Sequence, residues 1–135
     1  MSLMQLPLYT GLATALLMLG HLILMGLVIA QRGKNEVNIG DGGVDSLQQA
    51  IRVHGNFLEN APIFLIGLAL CEMMAGSTLV IAILGSVFVI ARAAHAVGYS
   101  MTTGVSAGRL VGTLGSMFTI LGVAGYLAYI VLTKL

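Results

Sequence analysis

Arg52, Asn56 and Glu59 stand at i, i+4 and i+7, and Arg92, His95 and Tyr99 repeat that pattern at i, i+3 and i+7. On a helix each triplet forms one stripe about two turns long. Arg109 follows further along the chain, while His54 and Gln48 lie beside the first triplet on other faces. Guanidinium groups grip carboxylates or phosphates, often through two parallel hydrogen bonds, and a glutamate among them can hold an ammonium. These residue types therefore suit a polar, mostly anionic ligand. A simpler reading exists for each charge alone. An arginine near a helix end can snorkel to the headgroups, and Arg52 and Glu59 can pair along their own helix. Three stripes on three helices are harder to explain that way. Cys71 is the single cysteine, which excludes an intrachain disulfide and any Cys/His zinc pattern, so no metal is expected.

The elements that carry these residues are apolar. Of 135 residues 58% are hydrophobic and 8% charged, against about 25% charged in a typical soluble domain. A soluble fold of this size leaves too much surface exposed to hide such a composition. At about 20 residues per span, the chain makes a single four-span domain, an all-α integral membrane four-helix bundle. The net charge of +1 provides no basic field for nucleic acid.

Residues 1–31 carry no charge, and the first span is expected over 6–30, with Pro7 in its first turn. A cleaved signal peptide would have a basic start and a shorter apolar core, so this span is expected to be retained. Residues 31–46 hold Arg32, Lys34, Glu36, Asp41 and Asp45 among glycines, the composition of a loop. Asp45 or Ser46 is placed to cap the next helix, which runs over 47–75 with a kink at Pro62. Gly76 and Ser77 make a turn, the third span covers 78–98, residues 100–108 connect, and the fourth span covers 109–132.

The second helix starts, the third ends and the fourth begins on one side, so the three polar stripes share one end of the bundle. Arg32, Lys34, Arg52, Arg92 and Arg109 lie on or near that side, and Lys134 on the other. By the positive-inside rule both loops are cytoplasmic and both termini outside. His21, midway along the first span, is expected to be hydrogen-bonded at a helix interface. Cys71 is expected to pack, and Glu72, near the outer end, to reach water. Gly104, Gly108, Gly112 and Ser116 recur every four residues, a ridge that allows close helix contact and makes oligomerisation plausible.

The stretch from Arg52 to Pro62, R-x-x-x-N-x-x-E-x-x-P, resembles the second transmembrane helix of the MAPEG family, membrane-associated proteins in eicosanoid and glutathione metabolism. Arg92-Ala-Ala-His-Ala-Val-Gly-Tyr99 is similar to that family's third helix. Length, four spans and a charged first loop agree over essentially the whole chain. The resemblance implies a homotrimer in contact with membrane lipid, with glutathione bound between subunits. Arg52, Asn56 and Glu59, with His54, would hold the glutathione backbone. Arg92, His95 and Tyr99 would come from the adjacent subunit. Arg109 would be the catalytic residue that favours the thiolate, which attacks a hydrophobic small-molecule electrophile or reduces a lipid hydroperoxide. Leu110 stands where the prostaglandin E synthases carry serine, and His95 where the leukotriene C synthases carry tyrosine. The resemblance therefore points to a bacterial-type glutathione transferase or peroxidase in an inner membrane, with a role in detoxification. The alternatives are a non-catalytic lipid-binding member of the same family and a small proton-coupled exporter. An exporter requires a carboxylate at the membrane centre, and the first span has none.

Overall fold

The computed structural model describes residues 5–74, 76–102, 104 and 106–135. Five helices follow in order: α1 (Leu8–Asn35), α2 (Asp45–Glu59), α3 (Ala61–Met73), α4 (Thr78–Met101) and α5 (Ala107–Leu132). α2 and α3 form one span, Asp45–Met73, and with α1, α4 and α5 they give four helices long and apolar enough to cross a membrane. Large apolar side chains such as Leu12, Ile23, Phe118 and Leu121 face outward, where lipid rather than water solvates them.

The break between α2 and α3 falls at Asn60 (φ −105°, ψ −17°), with Pro62 in the first turn of α3. Proline has no N–H to return to the carbonyl of Leu58, and its ring crowds that carbonyl. The ladder resumes where the Phe64 amide donates to the Asn60 carbonyl at 3.3 Å. The kink expected at Pro62 is present, and it separates two helices.

Several boundaries differ from the sequence reading. α1 continues to Asn35 instead of yielding to a loop at Gln31. Arg32 and Lys34 fall in its last turn, where cations favour the carbonyl end of a helix. The Arg32 guanidinium then reaches forward to the carbonyls of Val37, Asn38 and Gly40, at 3.4, 3.2 and 2.9 Å. At 28 residues α1 is about 42 Å long, so its last turns extend beyond a hydrocarbon core of about 30 Å. Neither Asp45 nor Ser46 caps α2. Its N-cap is Val44, without a side-chain bond, and both polar residues lie inside the first turn. α4 runs on to Met101, and α5 starts at Ala107 because the Ser106 hydroxyl accepts from the Arg109 amide at 3.2 Å. Residue 75, the expected end of the second span, lies outside the described residues, as do 103 and 105 in the last connection.

Glu72 does not reach water. It is 5% exposed, and its carboxylate accepts from the amides of Tyr9 and Thr10, both at 2.9 Å, and from the Thr10 hydroxyl at 2.7 Å. The first amides of a helix have no partner within it, and in lipid they need one from elsewhere. Glu72 supplies it across more than sixty residues of sequence, and its negative charge suits the positive end of the α1 dipole.

The core stacks Phe64 on Phe88, with ring centroids 3.7 Å apart, among Leu68, Cys71, Ile81 and Val123. α4 and α5 meet most closely. A Cβ at Gly112 would stand 2.5 Å from both the Ala91 carbonyl oxygen and the His95 Cβ, and one at Gly108 would stand 3.0 Å from the Ala94 carbonyl oxygen. The small-residue ridge of α5 is therefore occupied by α4 of the same chain at these positions, which leaves them unable to mark a contact between copies. Gly112→Ala forces the two backbones apart and is expected to cost about 1–3 kcal/mol, read as a lower melting temperature of the purified protein in detergent.

Candidate functional site

The ends of α2 and α4 that carry the polar stripes are joined directly. The Gln49 side-chain amide donates to the Tyr99 carbonyl at 2.7 Å. Beside this link lies a polar cleft of about 340 Å³ lined by Asp45, Gln48, Gln49, Arg52 and Tyr99. Tyr99 is the meeting point of the third and fourth helical spans. The Arg109 guanidinium lies 4.1 Å over its ring, and the His95 ring stacks with it at 5.9 Å between centroids. A guanidinium over an aromatic face gains cation–π attraction while keeping most of its N–H donors free. Among the described residues Arg109 uses its side chain for one long bond, 3.4 Å to the Gly104 carbonyl.

Arg92 belongs to a deeper layer. It is 1% exposed. Its Nη2 donates to the Asn56 carbonyl at 2.8 Å and to the Asn56 Oδ1 at 2.9 Å, and its Nη1 donates to the Ser116 hydroxyl at 3.3 Å. Every partner it has among the described residues is neutral, which is costly for a buried cation. Part of the compensation comes from α2. The Asn56 carbonyl is one of the last four of that helix, where the dipole is negative. The break enforced by Pro62 therefore brings a carbonyl-rich helix end to a buried guanidinium. Arg92 Nε and His95 Nδ1, also buried, have no hydrogen-bond partner among the described residues.

His54 faces the opposite way. Its Nε2 lies 2.9 Å from Nδ1 of His21 on α1, close enough for one ring to donate a proton to the other. His21 is thus hydrogen-bonded at a helix interface as its sequence context suggests, and its partner is one of the expected ligand residues. Arg52 and Glu59 are exposed. Of the residues singled out from sequence, Arg52 and Tyr99 line the cleft and Arg109 stacks on Tyr99, Asn56, Arg92 and His95 form the layer beneath, Glu59 lies one turn beyond Asn56, and His54 is turned to α1. Gln49 and Ser116 have roles that sequence reasoning missed. Gln49 sits three residues before Arg52 on the same helix face, so its position carried a signal, whereas the bond from Arg92 to Ser116 depends on how α4 and α5 pack.

The family model of the MAPEG family matches residues 10–129, a stretch that includes both polar triplets and Arg109. The chain belongs to the MAPEG family. Among curated relatives are the inner membrane protein YecN of Escherichia coli K12 and its counterpart in Escherichia coli O6:H1, each 38% identical over 72 residues, which is 53% of this chain and 55% of the relative. The chain spans about half the length of the curated relatives it matches. As a MAPEG protein it is an integral membrane helical bundle, and its four apolar spans agree with that assignment.

The donor set fits the ligand that MAPEG membership suggests. Glutathione carries two carboxylates, an ammonium and two amides. The cleft presents the Arg52 guanidinium and the Gln48 and Gln49 amides beside the Asp45 carboxylate, and the Arg109 guanidinium lies over the ring of Tyr99, which lines it.

Proposed function

We propose that this protein is a membrane-bound glutathione transferase that also has glutathione-dependent peroxidase activity toward hydrophobic substrates. The observation that carries the reading is the polar cleft at one end of the bundle, lined by Arg52 and Tyr99 among others, with the Arg109 guanidinium stacked on that tyrosine. Arg52 binds a glutathione carboxylate, and Asn56 and Glu59 continue the same helix face toward the peptide amides and the ammonium. Glutathione supplies the thiol that adds to an electrophile or reduces a lipid hydroperoxide. Arg109 supplies the positive charge that favours the ionised thiol, whose free pKa near 8.5 leaves it mostly protonated at neutral pH. The exposed apolar helix faces give lipid-borne substrates direct access from the bilayer.

In this reading the protein lies in a bacterial inner membrane, as the YecN relatives are named, with both loops cytoplasmic and the site open to cytosolic glutathione. It assembles as a homotrimer, which places polar groups of adjacent subunits around each ligand. The test is turnover by the purified protein with glutathione and 1-chloro-2,4-dinitrobenzene, and separately with a lipid hydroperoxide. Saturable activity with either supports the reading. Activity with neither leaves the family's non-catalytic lipid-binding mode as the better account.

A further inference from the structure

Arginine has only donors, so the Asn56 atom that faces Arg92 must be the carbonyl oxygen of its side-chain amide. The geometry agrees, with Nη2 2.9 Å from Oδ1 and 2.8 Å from the backbone oxygen of the same residue. One NH2 group thus holds two oxygens of one asparagine, one with each of its hydrogens. The guanidinium is itself fixed. It is 1% exposed, and its Nη1 rests on the Ser116 hydroxyl, which donates to the Gly112 carbonyl at 2.8 Å. Gly112 is clamped against Ala91 and His95, so the orientation is set by the α4–α5 contact and not by the mobile end of a long side chain. Asn56 Nδ2 makes no hydrogen bond among the described residues, and the residue is half-buried rather than enclosed.

We infer that Arg92 is a positioning residue: it locks the Asn56 amide with Oδ1 inward and leaves Nδ2 as an N–H donor that selects an acceptor oxygen, a carboxylate or an amide carbonyl, on the ligand. This rests on the glutathione reading for the ligand's identity, but the sense of the amide is a property of the chain alone. Arg92 itself does not touch the ligand.

Asn56→Asp separates this role from mere scaffolding. The aspartate keeps an acceptor toward Arg92 and gives the buried guanidinium a counter-charge, while it replaces the outward donor with a second carboxylate oxygen. The expected result is a melting temperature equal to or above that of the unsubstituted protein, with glutathione affinity at least tenfold weaker. Asn56→Leu, which removes both acceptor and donor from the side chain, is expected to lower both. A melting temperature that falls as far in Asn56→Asp as in Asn56→Leu would show that Arg92 does not hold Oδ1 and overturn the inference. So would wild-type affinity in a stable Asn56→Asp protein. Should the unsubstituted protein fail to bind glutathione at all, the proposed function falls by itself. The melting temperatures of the two variants then still decide whether Arg92 fixes the amide.

Discussion

Arg109→Ala is expected to lower the turnover number with 1-chloro-2,4-dinitrobenzene by about 100-fold, while the glutathione affinity changes by less than a few fold. The magnitude is that typical of removing one preorganised electrostatic group from a reacting centre. The split between rate and affinity follows from position. The Arg109 side chain lies over the Tyr99 ring, whereas Arg52 and the two glutamines line the cleft. Few structural ties are lost. Helix α5 is started by the Ser106 hydroxyl acting on the Arg109 backbone amide, which alanine retains, and the one side-chain bond among the described residues is the long contact with Gly104. Arg109→Lys keeps a point charge without the planar stack and is expected to fall between the two. Equal losses of affinity and rate in Arg109→Ala would make it a binding residue instead. Unchanged turnover would remove it from the chemistry.

Glu72→Ala is expected to destabilise the fold by about 2–4 kcal/mol, since each buried donor left without its acceptor costs about 1–3 kcal/mol. Three donors lose their acceptor together, the Tyr9 and Thr10 amides and the Thr10 hydroxyl, and Glu72 and Thr10 are each only 5% exposed, so water does not readily replace it. For a chain of this length the melting temperature in detergent should fall by roughly 10 °C or more. Glu72→Gln retains one oxygen acceptor but presents an NH2 group to donors, so it is expected to recover only part of the loss. A melting temperature unchanged in Glu72→Ala would mean that α1 starts without this cap. Because Glu72 lies at the end of the bundle away from the cleft, the glutathione affinity of whatever protein remains folded should be unaffected.

Legibility from sequence divides along physical lines. The spans were readable because lipid imposes length and apolarity on each helix, and the break near Pro62 was readable because proline removes a specific ladder bond. The two polar triplets were readable for the same local reason, since helical spacing places their members on one face. What could not be read is which side chain from another helix each one meets. Arg92 has the spacing of a ligand residue, and it binds Asn56 and Ser116. His54 lies beside the first stripe, and it binds His21. Glu72 has the position of a surface carboxylate, and it caps a helix that begins more than sixty residues earlier in the chain. The end of α1 was misplaced for a smaller reason. Arg32 and Lys34 look like loop residues by charge, yet both are favoured at a helix carboxyl end, and Arg32 then organises the loop that follows.

The central claim is that one end of this bundle gathers a binding site for glutathione, and a calorimetric titration of glutathione into the purified protein in detergent tests it most directly. The account predicts saturable binding that is lost or strongly weakened in Arg52→Ala while the melting temperature stays unchanged, because Arg52 is exposed and lines the cleft. Absence of any saturable heat with a folded, monodisperse protein, or binding that Arg52→Ala leaves intact, would contradict it.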